Sequence, residues 1–443
     1  MLSTRSITPP VSRRQFLGSS ARNAAGVAAG VVTIASPARA SASDTVTLGV
    51  IGMRSRGRVL ASAMAALKDA HIAAIADVDA NQLQNASQEI ENLQGSAPRW
   101  ELDFRRILDD PSVDAVIIAT PDHWHALMTI MACEANKDVY VEKPVSHNLF
   151  EGEVMMSVAA NRQRVVQTGL QQRSIGHFQS AVEFVRSGQL GHVAFARAWT
   201  VHTRKPIGHA RNARAPQGVN YDMWLGPAPA RPFNRNRFHH TWRWFHDYGT
   251  GELGNWGVHM LDVARWGLNV KLPSRVSASG GNYQFCDDQE YPDTLVVHYS
   301  WPDCTIVWEH RQWSRRNMEG RNAGVAFYGE SGTLIVDRSG WKVYDADRSV
   351  AVDAERLDNS AHCRNFIDAV RTRATPNADL TIGFTSTTLC HLGNIACRLG
   401  RELHLDGATP IFASDAEAGE LAGREYRRQW DVNDYVDSVP RTT

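Results

Sequence analysis

Lys143 stands in Glu142-Lys143-Pro144, directly after the run Asp138-Val139-Tyr140-Val141, and His259 closes Asn255-Trp256-Gly257-Val258-His259. An ammonium at a crevice lowers the cost of charge developing on an alkoxide oxygen. An imidazole can take up or return the accompanying proton near neutral pH. At 3.6 residues per turn, Asn255, His259 and Asp262 fall on one helical face. The amide of Asn255 can hydrogen-bond a hydroxylated ligand but cannot stabilise an imidazolium by charge, a task that Asp247 or Glu252 could take over. The alternatives are structural: a salt-bridged lysine at a strand end and a histidine satisfied in a core.

A second set of residues suits a nucleotide. Thr45–Ile51 reads as a strand that ends at Gly52-Met53-Arg54-Ser55-Arg56-Gly57, with a helical pattern following to about Leu67. Free N–H groups and the helix dipole at such a turn hold a pyrophosphate. The middle position of G-x-G-x-x-G is Arg54, whose side chain must point away from the phosphates or lie over them. His71–Ala76 reads as the next strand and ends at Asp77, where a carboxylate accepts from ribose hydroxyls and repels a 2′-phosphate; this favours NAD, with NADP possible. Asp77 as a helix cap is the competing reading. A third strand, Asp114–Ala119, leads into Thr120-Pro121-Asp122-His123-Trp124-His125 and a helix to about Asn136. Segments after the strands of an open α/β sheet line the ligand crevice, so Thr120, Pro121, His125, Glu142 and Lys143 are expected there with Gly52, Arg54, Ser55, Arg56, Gly57 and Asp77. His123-x-His125 has no nearby set of carboxylates or cysteines, and no metal is expected.

Beyond residue 170 the pattern changes. A helix (178–187) and a strand (193–202) are followed by strand-like runs at 274–278, 294–300, 305–309, 324–328 and 333–336, which imply a largely antiparallel sheet with few helices. Between them, the long stretch 202–248 carries aromatic residues among Arg and His, suited to stacking on a sugar or to a subunit interface.

The order of glycine turn, Asp77, Ala119-Thr120-Pro121-x-x-x-His125 and Glu142-Lys143-Pro144 resembles the Gfo/Idh/MocA oxidoreductases over almost the whole chain beyond residue 42. The resemblance implies a Rossmann NAD(P)-binding domain (43–170) and an open-faced α/β domain for substrate binding and oligomerisation (171–443), assembled as a dimer or tetramer. It implies that Lys143 binds the reacting hydroxyl and His259 acts as base, with Asn255 replacing the usual aspartate of D-x-G-x-H. Arg173, Trp244, Asn255 and His259 join Lys143 as the expected sugar contacts. Two rival functions stand beside an oxidoreductase: an NAD-dependent glycosidase working through transient oxidation, and a non-catalytic sugar or nucleotide binder.

The chain has 47 basic and 47 acidic residues, but Met1–Ala40 holds five arginines and no acid. The remainder is therefore mildly acidic, at −5, which argues against a nucleic-acid partner. Ser12-Arg13-Arg14-Gln15-Phe16-Leu17, an apolar run 24–35 and Pro37-Ala38-Arg39-Ala40-Ser41-Ala42 read as a twin-arginine export signal (1–42), hence a periplasmic or otherwise exported protein. The apolar run is too short to span a bilayer, so no integral membrane segment is expected. Export in the folded state permits a cofactor to be bound first, and tight binding of NAD is expected. The six cysteines contain no C-x-x-C pair and read as free core thiols.

Overall fold

The structure is a computed structural model that describes residues 45–344, 349–354, 359–405, 412 and 414–436; the expected export signal lies outside the described residues. Strand β1 (Val46–Ile51), helix α1 (Arg56–Ala65), β2 (Ala70–Ala76), β3 (Arg99–Glu101), β4 (Ala115–Ile118), helix α2 (Asp122–Glu134), β5 (Asp138–Val141), helix α3 (Leu149–Asn161) and β6 (Val166–Thr168) build the first half. All six strands run parallel in the order β3-β2-β1-β4-β5-β6. That is the doubly wound order, with its switch between β1 and β4, the two strands that flank the ligand crevice. Every residue of β4 and β5 is buried, because helices cover both faces of a parallel sheet.

Helix α4 (Gly176–Arg186) leads to a nine-stranded sheet. Its strands are β7 (Phe195–Thr200), β8 (Arg275–Gly281), β9 (Thr294–Ser300), β10 (Thr305–Arg311), β11 (Ala323–Gly329), β12 (Gly332–Asp337), β13 (Gly340–Tyr344), β14 (Ser349–Asp353) and β15 (Leu403–His404). The order is β14-β13-β12-β11-β7-β10-β9-β8-β15, antiparallel throughout except for β7 against β10. A Rossmann-like parallel sheet followed by a mostly antiparallel one is therefore the fold class. Helix α4 and helix α5 (Val258–Leu268) pack on one face of the second sheet.

Two later helices tie the halves together. Helix α6 (Ser360–Thr372) returns to the first sheet, where Cys363, Phe366 and Ile367 join the core under α1. Helix α7 (Leu380–Leu399) begins with Asp379 capping the Ile382 N–H and touches both halves. A Cβ on Gly383 would strike Thr168 of β6, and one on Gly393 would strike Leu253, Tyr299 and Val297. The tail comes back to the first half too, with Trp430 edge-on to Trp124.

All six cysteines are free. Cys286 departs from the expectation of core thiols, since it is exposed, and Cys397 is half-buried. No helix among the described residues is long and apolar enough to cross a membrane.

Candidate functional site

The glycine turn is built by steric necessity. Gly52 sits at φ +90°, and a Cβ there would lie 2.7 Å from the Ala119 carbonyl oxygen; a Cβ on Gly57 would lie 1.7 Å from the Gly52 carbonyl oxygen. Only glycine allows β1, α1 and the end of β4 to approach this closely. Ser55 precedes α1 at φ 33° and makes no side-chain cap, and Arg54 is exposed. Asp77 follows β2; its Oδ2 accepts from the Met53 N–H at 2.7 Å and its Oδ1 from the Asp79 N–H at 2.9 Å. Burial pushes this carboxyl up to about 6, against the pull of those two N–H groups.

Next to the turn, Arg56 Nε donates to Glu142 Oε1 at 2.6 Å and Arg56 Nη1 to Asn359 Oδ1 at 3.0 Å. Burial would raise the Glu142 carboxyl, but Arg56 and Lys143 hold it below its usual range. Glu142 fits beneath Gly169, where a Cβ would lie 2.6 Å from its Oε1. His125 reaches the Pro144 carbonyl through Nδ1 at 2.6 Å and the Thr120 carbonyl through Nε2 at 2.8 Å. It thereby ties the end of β4 to the end of β5. His123 is turned away, with Nε2 donating to the Trp224 carbonyl at 2.8 Å.

Lys143 reaches across to the second half: its Nζ donates to the Asn255 carbonyl at 3.1 Å and lies 3.4 Å from Asn255 Oδ1. Arg243 Nη1 donates to the same Oδ1 at 3.1 Å, while Asn255 Nδ2 donates to Glu252 Oε2 at 3.2 Å. Burial lowers the Lys143 ammonium, and Glu142 and Asp122 oppose that shift. Asp122, at the start of α2, is buried and accepts from Thr250 Oγ1 at 2.7 Å; burial raises its carboxyl. His259 is 4% exposed and its Nδ1 has no protein partner. Burial, then Lys143, Arg338 and Arg56, push its imidazole well below the ordinary value, so the ring is neutral at pH 7.

These groups share a cleft of about 400 Å³ whose wall runs from Gly52, Ser55 and Asp77 past Thr120 and Lys143 to His259. Four buried polar atoms without a protein partner belong to its lining residues: Thr120 Oγ1, Arg56 Nη2, Gln171 Oε1 and His259 Nδ1. Orphaned polar atoms in a cleft are what a bound polar ligand satisfies. Together with the glycine cradle and the Asp77 carboxylate, they fit a dinucleotide along the strand ends and a hydroxylated molecule beside Lys143 and His259.

Residues 46–170 match the family model described as the NAD-binding Rossmann fold of Gfo/Idh/MocA oxidoreductases, and residues 193–432 match that family's C-terminal alpha/beta domain. The chain belongs to the Gfo/Idh/MocA oxidoreductase family. Within it, the myo-inositol 2-dehydrogenase of Thermotoga maritima is 28% identical over 144 residues, 32% of this chain and 42% of that protein. A glycosyl hydrolase family 109 protein of Saccharopolyspora erythraea is 28% identical over 262 residues, 52% of this chain and 57% of its own length. The chain spans about two-fifths of the length of several curated relatives it matches. The crystal structure of aldose-aldose oxidoreductase from Caulobacter crescentus, complexed with glycerol, superposes with TM-score 0.64 at 18% identity, covering 82% of this chain and 100% of that one.

Three expected substrate contacts, Arg173, Trp244 and Asn255, and the helical face that included Asp262 are placed differently from the expectation. The segment Leu253–Gly257 is a π turn feeding α5. Asn255 and His259 line the cleft, whereas Asp262, three residues beyond His259 in the regular helix α5, is buried away from it. There Asp262 receives Arg173 through two bonds of 2.8 Å, with Ser386 Oγ donating at 2.7 Å. Arg173, expected on substrate, is thus committed to a buried ion pair and does not line the cleft. Trp244 is 4% exposed in a separate aromatic cluster under Arg204, and its neighbour Trp242 lines the cleft instead. Asn255, expected to orient substrate, has its amide taken up by Lys143, Arg243 and Glu252. It positions Lys143.

Arg56 likewise lines the cleft with its guanidinium turned to Glu142 and Asn359. Asp122, Trp242, Arg243, Trp256 and Arg338 line the cleft without having been singled out by type and spacing. Arg243 sits in the aromatic stretch 202–248, which is a local signal; Arg338, in the turn between β12 and β13, has none. Among the described residues, no group of three or more His, Cys, Asp or Glu could hold a metal.

Proposed function

We propose that this protein is an NAD-dependent oxidoreductase acting on a hydroxyl-bearing carbon of a sugar, glycoside or polyol. The observation that carries the reading is one cleft in which the glycine turn and Asp77 lie at one end and Lys143 and a neutral His259 at the other. The turn at Gly52, Ser55 and Gly57, the Asp77 carboxylate and Thr120 Oγ1 would hold NAD, whose nicotinamide supplies a two-electron hydride acceptor or donor when bound. Lys143 Nζ donates a hydrogen bond to the substrate oxygen and stabilises its charge as the C–H bond breaks. His259 Nδ1 accepts the hydroxyl proton in oxidation and returns it in reduction. Asn255 and Arg243 keep the ammonium aimed into the cleft.

A second reading, a glycosidase that oxidises a sugar carbon transiently, eliminates the aglycone and restores the hydride, is favoured by the likeness to the family 109 protein. Purified protein incubated with aryl glycosides separates the two. Oxidised sugar supports the oxidoreductase; free aglycone with no net oxidation supports the glycosidase. Neither product from folded, NAD-loaded protein overturns both and leaves a non-catalytic binder. Export after folding, with NAD retained, and assembly as a dimer or tetramer belong to the same proposal; they rest on Arg13-Arg14 and on family membership.

A further inference from the structure

The cleft wall carries more positive than negative charge, and the excess lies at the His259 end. Arg54, Arg56, Lys143, Arg243 and Arg338 line it against Asp77, Asp122 and Glu142. Glu142 is bonded to Arg56, and Asp77 stands by the glycine turn. Lys143 and Arg243 share the counter-charge of Asp122, which is itself bonded to Thr250, and the carboxylate that Arg338 feels, Glu142, is already bonded to Arg56.

Arg338 and Arg54 make no side-chain hydrogen bond or ion pair with any described residue, and of the two only Arg338 is half-buried, Arg54 being exposed. The Arg338 guanidinium lies over the Trp256 ring, 4.5 Å from the centroid, and Trp256 also contacts His202 at 4.4 Å between centroids. The turn that presents it is fixed. Asp337 Oδ1 accepts from the Ser339 N–H at 2.7 Å and from Arg321 Nη1 at 2.5 Å, and the Asp337 carbonyl pairs with His177 Nε2 at 3.0 Å. The acid beside Arg338 in sequence is thus spent elsewhere. A half-buried guanidinium held on an aromatic face, with its forked donors free, suits planar recognition of a carboxylate or phosphate. Asn255 removes from the same end the carboxylate that the family pattern would supply, and with it a repulsion toward an anionic ligand.

We infer that the substrate is a sugar bearing an anionic substituent, and that Arg338, with Trp256 beneath it, is the residue that selects it. This rests on the sugar-oxidoreductase reading above and names its substrate class. The chemistry is shared by a uronate carboxylate and a sugar phosphate. An anion on Arg338 would also offset one of the charges that hold His259 neutral, so that the substrate itself makes the imidazole a better proton acceptor.

The test uses the full NAD-loaded protein with glucose and galactose, their uronates and their 6-phosphates, reading binding by tryptophan fluorescence and calorimetry and turnover by sugar oxidation. Binding of one anionic series at least tenfold tighter than the neutral series is expected, and which series wins distinguishes carboxylate from phosphate. The preference should shrink as potassium chloride is added. Arg338→Gln should bring the anionic sugars down to the neutral level, Arg338→Lys should restore part of the preference, and Asn255→Asp should weaken anionic binding. Neutral sugars bound and oxidised as well as the acids, or a preference that survives Arg338→Gln, would overturn the inference and leave the oxidoreductase standing. Should Arg338→Gln not fold, the salt dependence of the unmutated protein decides: an anionic preference unmoved by salt overturns it. No binding or turnover of either series by the folded protein overturns both.

Discussion

The side chains of Lys143 and Asp77 act in opposite electrical senses, and each yields a measurement. Lys143 Nζ lies half-buried beside Asn255 and loses part of its proton affinity to burial, yet Glu142 and Asp122 keep a counter-charge close by. Its value lies in charge that develops during reaction, so Lys143→Met should lower kcat by about 100-fold or more with a smaller change in KM. Steady-state kinetics on folded variant decide this, and near-normal turnover would remove Lys143 from the chemistry. Asp77 carries a carboxyl raised from 3.8 to about 6 by burial. Between those values the folded chain holds a proton that the unfolded chain has lost, so its contribution to apo-protein stability falls as pH rises through that window. Ribose hydroxyls want the carboxylate as acceptor; affinity for NAD(H) should therefore rise with pH through about 6 and level off above. Calorimetric titrations at a series of pH values check the trend, which Asp77→Asn should flatten.

The elements were legible in the sequence wherever a local pattern forces them. The strand-turn-helix at Gly52–Gly57 is dictated by glycines that leave no room for a Cβ, and β4 and β5 by apolar runs bounded by polar turns. What was not legible depends on partners far along the chain. The face Asn255, His259, Asp262 spans about two turns at a uniform period of 3.6, but Leu253–Gly257 is a π turn and Asp262 is claimed from inside the protein by Arg173 and Ser386. Gly257 lies against the indole of Trp308 on β10, and Cys390 of α7 contacts the Leu253 carbonyl, so tertiary packing accompanies the wider turn. Arg173 looked like a ligand contact because nothing nearby in sequence reveals that Asp262 would claim it. That pair gives the element-scale prediction. Asp262→Ala leaves Arg173 and Arg265 buried without their carboxylate and should cost about 3–5 kcal/mol of stability, measured by denaturant unfolding. A loss below about 1 kcal/mol would show that α5 does not depend on the pair.

Over the whole molecule, the two sheets are joined by α7, whose first turns touch β6 and whose later turns touch β9. Along the way Thr387 Oγ1 accepts from the Val145 N–H at 3.2 Å and Asn394 Nδ2 donates to the Thr250 carbonyl at 2.9 Å. The Lys143 loop and the segment leading to His259 are therefore both hydrogen-bonded to one helix, and the Lys143–His259 end of the cleft draws on both halves. Such a protein suits a route that exports it folded, which is the reading of Arg13-Arg14. Dissolved NAD is scarce outside the cytoplasm, so an enzyme working there cannot exchange its cofactor at every cycle. An enzyme exported as proposed therefore requires the hydride to pass from one substrate to a second, or back to the first, while the nucleotide stays bound. Dissociation slower than turnover implies tight binding, nanomolar or better at about −12 kcal/mol. Protein purified from the exported fraction should then release close to one nicotinamide nucleotide per chain on denaturation after long dialysis, and should turn over without added NAD. Nucleotide-free protein that works only when NAD is supplied would point instead to a freely exchanging dehydrogenase.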